Sequence, residues 1–173
     1  MSTKPKSEST MTLLLAAVFI VYMYFLIRII VFKGAPFSLQ SLWEQAGRML
    51  EHPDRIFKRQ GNYVPFKEIS RGIDHLSLSD PFSSLNLVGN LLAFIPFGVF
   101  VPMLLSQKVR LFQKVFMLSF ALSLSFEVTQ LVLYIGTFDV DDLILNTCGG
   151  VVGYAIYRML VSSGLFTTIS KRC

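Results

Sequence analysis

MTLLLAAVFIVYMYFLIRIIVF, residues 11–32, is a run of 22 residues with a single charge, Arg28, near its end. A bilayer core about 30 Å thick is crossed by roughly 20 apolar residues in a helix, so the run reads as a transmembrane span. It is longer than the apolar core of a signal peptide, and no small-residue cleavage site follows it, so a retained first span is expected. Arg28 stands where its stem can snorkel to the interface. Further runs at 87–105 and 115–135, and a shorter one at 143–160, predict three more spans.

The averages agree with the runs. The chain has 173 residues, 53% apolar and 16% charged, too apolar for disorder or for an ordinary soluble domain. The expected fold is all-α: a polytopic membrane protein built as a bundle of about four transmembrane helices. Sixteen Lys and Arg against eleven Asp and Glu give +5. Beside membrane spans such an excess reports topology, and no nucleic-acid partner is expected.

Lys4 and Lys6 precede the first span, Lys108, Arg110 and Lys114 fill the loop after the second, and Arg158, Lys171 and Arg172 mark the end of the fourth. The loop after the third span has no basic residue and carries Asp139, Asp141 and Asp142. Basic flanks stay in the cytoplasm, which places both termini inside and the acidic loop outside. The expected organisation is a cytoplasmic N-terminus (1–10), a first span (11–32), an extracytoplasmic loop (33–86), a three-helix membrane core (87–160) and a cytoplasmic tail (161–173). The first loop opposes this assignment, with Lys33, Arg48, Arg55, Lys58, Arg59, Lys67 and Arg71. Its length approaches the limit at which loop charges stop counting.

Within that loop Leu39, Leu42, Trp43, Ala46, Met49 and Leu50 recur at helical spacing. They predict an amphipathic helix, ending near Pro53, that either lies in the membrane interface or packs on the ends of the spans. Residues 62–70, NYVPFKEIS, read as extended or turn-forming because Pro65 biases Val64 away from helix. His52 and His75 lack ligand-spaced partners and read as surface histidines. Cys148 falls in the fourth span and Cys173 in the tail, so no disulfide is expected. The glycines form no phosphate-binding loop, and no cofactor is expected.

Polar residues inside apolar runs carry the functional signal, because polar groups in hydrocarbon must face a protein interior or a water-filled cavity. The second span opens with Asn86 and Asn90 on one face and continues through Pro96, Gly98 and Pro102, which suggests a kinked or broken helix. Ser119, Ser123, Glu127 and Gln130 form one stripe of the third. Asp139, Asp142, Asn146, Gly150 and Gly153 share a face of the fourth, and Gly149 with Gly153 permits close helix approach. Given the topology, the stripes converge as a carboxylate-and-amide cluster open to the outer leaflet. The simpler account is capping by Asp139, dipole pairing by Asp141 and Asp142, and a Glu127 satisfied by neighbouring amides.

NYVPFKEI, NLVGNLLAFIPFGVFVP, SFEVTQ and GTFDVDDLILNTCGGVVGY, in that order over 62–154, resemble the VanZ-like family of bacterial membrane proteins. The name-giving member is associated with resistance to the glycopeptide antibiotic teicoplanin. The resemblance places the family's recurring residues on Asn62, Pro65, Phe66, Asn86, Gly89, Asn90, Pro96, Gly98, Glu127, Gln130, Asp139, Asp142, Asn146 and Gly150. Many relatives have an Arg where this chain has Thr137 and Phe138. The family has no settled reaction, so the resemblance implies a class and a phenotype.

The first expectation is a binding or protective protein. It would engage a membrane lipid, a lipid-linked cell-wall intermediate or an amphiphilic glycopeptide antibiotic through Asn86, Asn90, Glu127, Gln130, Asp139, Asp142 and Asn146. The alternative is an intramembrane hydrolase or transferase using Glu127, Asp139 and Asp142, against which stands the lack of a Ser-His or Cys-His pair. Transport fits poorly with four spans unless the chain oligomerises.

Overall fold

A computed structural model describes residues 6–33, 38–51, 61–74, 81–105 and 110–163. Among them are six helices, four of them long and apolar enough to cross a membrane. Helix α1 is Lys6–Ile30, α2 Leu39–Glu51, α3 Lys67–Asp74, α4 Pro81–Leu104, α5 Leu111–Val132 and α6 Val140–Ser162. The all-α membrane architecture expected from the apolar runs is what the chain adopts. Lys4, His52, Pro53, Arg55, Lys58, Arg59, His75, Lys108, Lys171, Arg172 and Cys173 lie outside the described residues.

The spans differ from the apolar runs mainly at their ends. Helix α4 begins at Pro81, a residue type suited to the first turn of a helix, and runs unbroken through Pro96 and Pro102. Helix α6 begins at Val140 because Asp139 caps it, so the aspartates that precede the apolar run belong to its first turn. The segment expected to be extended or turned keeps that form only to Phe66, at φ 67°, and then becomes α3.

Helices α4 and α6 are in backbone contact. A Cβ at Gly98 would collide with the Gly150 carbonyl, one at Gly149 with the Leu91 carbonyl and one at Gly153 with the Ile95 carbonyl. The small-residue face read from the sequence therefore seats α4. Gly150 also makes room for Ser119 of α5. Around this contact pack Leu26, Ile30, Val31, Phe94, Phe97, Val101, Val115 and Phe126, with the Phe94 and Phe126 rings edge to face at 6.1 Å. Helix α1 lies on α4 through Phe19, whose ring is 6.1 Å from Phe97 and 5.8 Å from Phe100, and through a hydrogen bond from the Tyr22 hydroxyl to the Ala93 carbonyl, 2.7 Å. Leu13, Val18, Ile20 and Tyr24 face outward, as side chains bordering lipid do.

Two short helices complete the described fold. In α2, Leu39, Trp43 and Leu50 are exposed, Trp43 and Leu50 each at 83%. These three apolar residues thus point outward, while Leu42, Ala46 and Met49 of the same face are half-buried. Helix α3 is held at one end of the bundle, where the end of α1, the beginning of α6 and the end of α5 also meet. We call this the acidic end.

Candidate functional site

Asp139, Asp141 and Asp142 are consecutive corners of one polar structure at the acidic end. The Asp139 carboxylate accepts a hydrogen bond from the backbone N–H of Asp141, 2.9 Å, and so caps α6. It also accepts one from the side-chain amide of Asn62, 2.9 Å. The chain around Asn62 is stitched to the same place by backbone bonds, Asn62 N–H to the Phe138 carbonyl at 2.8 Å and Val140 N–H to the Asn62 carbonyl at 3.0 Å. Phe138, one of the two residues where many relatives carry Arg, stacks on Tyr63 at 5.7 Å.

Asp141 is 1% exposed and points out of α6 toward α3. Its carboxylate accepts the backbone N–H groups of Phe66 at 2.6 Å, Glu68 at 2.7 Å and Ile69 at 3.1 Å. A helix leaves its first N–H groups without internal partners, and an anion there also favours the helix dipole. Asp141 therefore docks α3, a role beyond the dipole pairing within its own helix that spacing suggested.

Asp142, on the next corner, is buried at 4% exposure. It accepts a hydrogen bond from the Asn90 amide of α4, and its other oxygen is 3.7 Å from the Lys33 ammonium, just after α1. Lys33 has φ 45°, in the left-handed region that costs a side-chain-bearing residue about 1–3 kcal/mol.

Glu127 of α5 is fully buried and accepts the backbone N–H of Asp139, 2.7 Å. It faces the protein interior and joins the acidic end directly, as the stripe implied, but its partner is backbone and not a neighbouring amide. One turn along, Asn146 of α6 donates to Ser123 of α5 at 2.8 Å, both fully buried. Gln130 donates to the Ile30 and Val31 carbonyls at 2.8 and 3.2 Å, tying the end of α1 to α5. The backbone of α4 reaches Asn86, whose side chain lies outside those described.

A cleft of about 90 Å³ opens among α3, α4 and α6, lined by Glu68, Ile69, Arg71, Gly72, Leu87, Asp139, Asp141, Asp142 and Leu145. Arg71 is paired with Glu68 at 2.8 Å, so the three aspartates leave the lining acidic. Of the residues expected to bind ligand, Asp139 and Asp142 line the cleft and Asn90 bonds to one of them. Glu127, Gln130 and Asn146 lie behind it in the helix contacts. Among the described residues, no three His, Cys, Asp or Glu side chains converge closely enough to hold a metal ion.

The sequence profile of the VanZ/LLP1 family matches residues 19–161. The chain belongs to this VanZ-like family. One curated relative, Protein VanZ of Enterococcus faecium, is 31% identical over 105 residues, which make up 60% of this chain and 64% of that protein. The aligned part thus covers less than two thirds of the relative's length. No solved structure matches the chain. The VanZ-like range takes in the second half of α1, so Tyr22, Lys33 and the carbonyls held by Gln130 belong to the family unit together with α3–α6. The sequence stripes flagged Glu127 and Asp142. Lys33 carried no signal, because its partner is far along the chain.

Proposed function

We propose that this VanZ-like protein sits in the bacterial cell membrane with both termini in the cytoplasm and the acidic end at the outer leaflet. There it binds a lipid-linked cell-wall intermediate or an amphiphilic glycopeptide antibiotic, and by doing so contributes to glycopeptide resistance of the teicoplanin type. The observation that carries this reading is the cleft beside Asp139, Asp141 and Asp142, at the end of the bundle where lipid head groups would lie in that orientation. Its acidic lining favours a ligand that brings amine groups, which carboxylates bind through charge-assisted hydrogen bonds. Helix α2, with Trp43 and Leu50 turned outward, fits the interface beside such a site.

The test uses purified protein in nanodiscs and two probes, teicoplanin and a lipid-linked peptidoglycan precursor. Saturable binding of one of them is expected, weakened roughly 10- to 100-fold by Asp142→Asn, the loss of one charge-assisted contact of about 1.5–3 kcal/mol. Binding that is absent, or equal in both proteins, refutes the reading. A new lipid product that forms with the native chain and disappears with Asp142→Asn would instead establish an intramembrane enzyme.

A further inference from the structure

Helices α4 and α6 touch in a regular register: the Leu91 carbonyl lies against Gly149, and one turn on the Ile95 carbonyl lies against Gly153. One turn before these pairs, Leu87 and Leu145 line the cleft. The two helices therefore run parallel from the cleft into the membrane along one seam. Its two flanks differ. On the inner flank Phe94 meets Phe126 of α5 and Asn146 bonds to Ser123. At about 100° per residue, Val88 and Leu92 lie on the opposite flank of α4, and Cys148 and Val152 on that of α6. All four are exposed, Leu92 at 55%. Gly149 and Gly153 put no side chain between the helices, so these four residues border a groove.

The groove continues the cleft. From Leu145 to Gly153 it runs about 12 Å at 1.5 Å per residue, most of the hydrocarbon depth of one leaflet, roughly 15 Å. Its apolar borders suit a hydrocarbon chain. At its upper end, Asp139 and Asp141 have no ion-pair partner among the described residues. Asp142 is beside Lys33, and Arg71 is held by Glu68. That position favours an ammonium group. Helix α3 presses on the other side, with Gly72 so near the Leu87 side chain that a Cβ would clash. It narrows the cleft there, whereas the groove leaves the lipid side open.

We propose that the cleft takes its ligand sideways from the bilayer, and that the ligand is an amphiphile with an ammonium head and a long hydrocarbon chain. The ammonium lies among the aspartates and the chain in the α4–α6 groove. This rests on the binding function proposed above, and adds to it the ligand's chemical class and its route. Head and chain have separate parts. A chain gains little by leaving lipid for the groove, because lipid tails are as apolar as the side chains that border it. Affinity therefore resides in the ammonium, and the groove fixes where the chain runs. A soluble amine lacks the second part, and an uncharged lipid the first.

The experiment is photocrosslinking of the full chain in phosphatidylcholine nanodiscs, with adducts mapped by mass spectrometry. The probe is hexadecylamine carrying a diazirine at mid-chain, and its control is hexadecanol with the same diazirine. Adducts at 88–95 and 145–152 should be roughly fivefold or more higher with the amine, a preference of the size one charge-assisted contact gives. Excess unlabelled hexadecylamine should remove them. Leu124 of α5 faces lipid at the same depth, since its neighbour Ser123 bonds to Asn146, and should react equally with both probes. Leu92→Trp fills the groove from a lipid-facing position and should abolish the preference; Val152→Trp does so from the other wall if the first variant does not fold. The proposal is overturned if amine and alcohol label the groove equally, if the amine preference extends to Leu124, or if it survives in Leu92→Trp. Oxidative crosslinking of Cys148 between two chains would equally overturn it, since a second copy would then occupy the groove. Groove labelling without preference, beside saturable binding of teicoplanin or the lipid-linked precursor, sinks this inference alone. Amine preference in the groove, with neither of those molecules bound, supports it and sinks the ligand choice made above.

Discussion

Replacing Asp141 with alanine should undock α3 while leaving the transmembrane bundle folded. The carboxylate receives N–H groups from Phe66, Glu68 and Ile69 at 2.6–3.1 Å and the Asn62 amide at 3.3 Å. Loss of an ordinary N-cap costs about 1 kcal/mol and up to about 2. Hydrogen bonds to a charged group contribute about 1.5–3 kcal/mol each, but they are not additive here, because Phe66 is exposed and Glu68 and Ile69 are only half-buried, so their freed N–H groups can meet water. A net cost near 3 kcal/mol raises the opening equilibrium of α3 roughly 150-fold. Asp141→Asn, which retains one carbonyl acceptor, should cost about half as much. The assay is amide hydrogen exchange in nanodiscs. Protection at 66–74 should fall about two orders of magnitude in Asp141→Ala, with the amides of α4 near Phe94 and Phe97 unchanged. Protection at 66–74 within about threefold of the native chain, or a loss spread evenly through α4 and α5, would refute the view that this carboxylate specifically docks α3.

Gly98→Ala should destabilise the bundle by about 2 kcal/mol or more, since its methyl meets the Gly150 carbonyl across a backbone contact that cannot give. Gly89→Ala meets nothing within 4 Å and should be neutral or stabilising by up to about 1 kcal/mol. Unfolding equilibria in mixed micelles compare the two, and equal effects would contradict the α4–α6 geometry. Lys33→Gln should cost at most about 1 kcal/mol, because the ion pair with Asp142 is 3.7 Å long and the lysine is 47% exposed; a double-mutant cycle with Asp142→Asn isolates that coupling. Thr137→Cys, with Cys148→Ser and Cys173→Ser, should react with a membrane-impermeant maleimide on intact cells; labelling only after lysis would reverse the proposed orientation.

The parts of this molecule that were legible in advance are those governed by local composition. A run of 22 nearly uncharged residues is committed to helix in a bilayer wherever its neighbours lie, because each backbone polar group must be satisfied within the segment. Periodicity likewise placed Glu127 on one stripe with Ser119 and Ser123, and a mid-span acid has to face protein. The glycines of α6 announced a close helix contact, and the sequence pattern of 62–154 carried the family. The start of α3 was hidden because Pro65 signals a turn, and the anion that stabilises the helix beyond it comes from Asp141, more than 70 residues further on.

Tertiary structure decided which of several similar acids does what. By sequence Asp139, Asp141 and Asp142 are nearly interchangeable, each near a helix N-terminus. Successive residues of a helix point about 100° apart, so one caps α6, the next caps α3, and the third turns inward to Asn90 and Lys33. In the same way Gln130, which shares its stripe with Glu127, is spent on the carbonyls at the end of α1. Local chemistry alone thus determined that the chain is a helical membrane protein with buried carboxylates. Which of those carboxylates lines a cleft, and which lies buried between two helices, depended on partners brought together from distant parts of the chain.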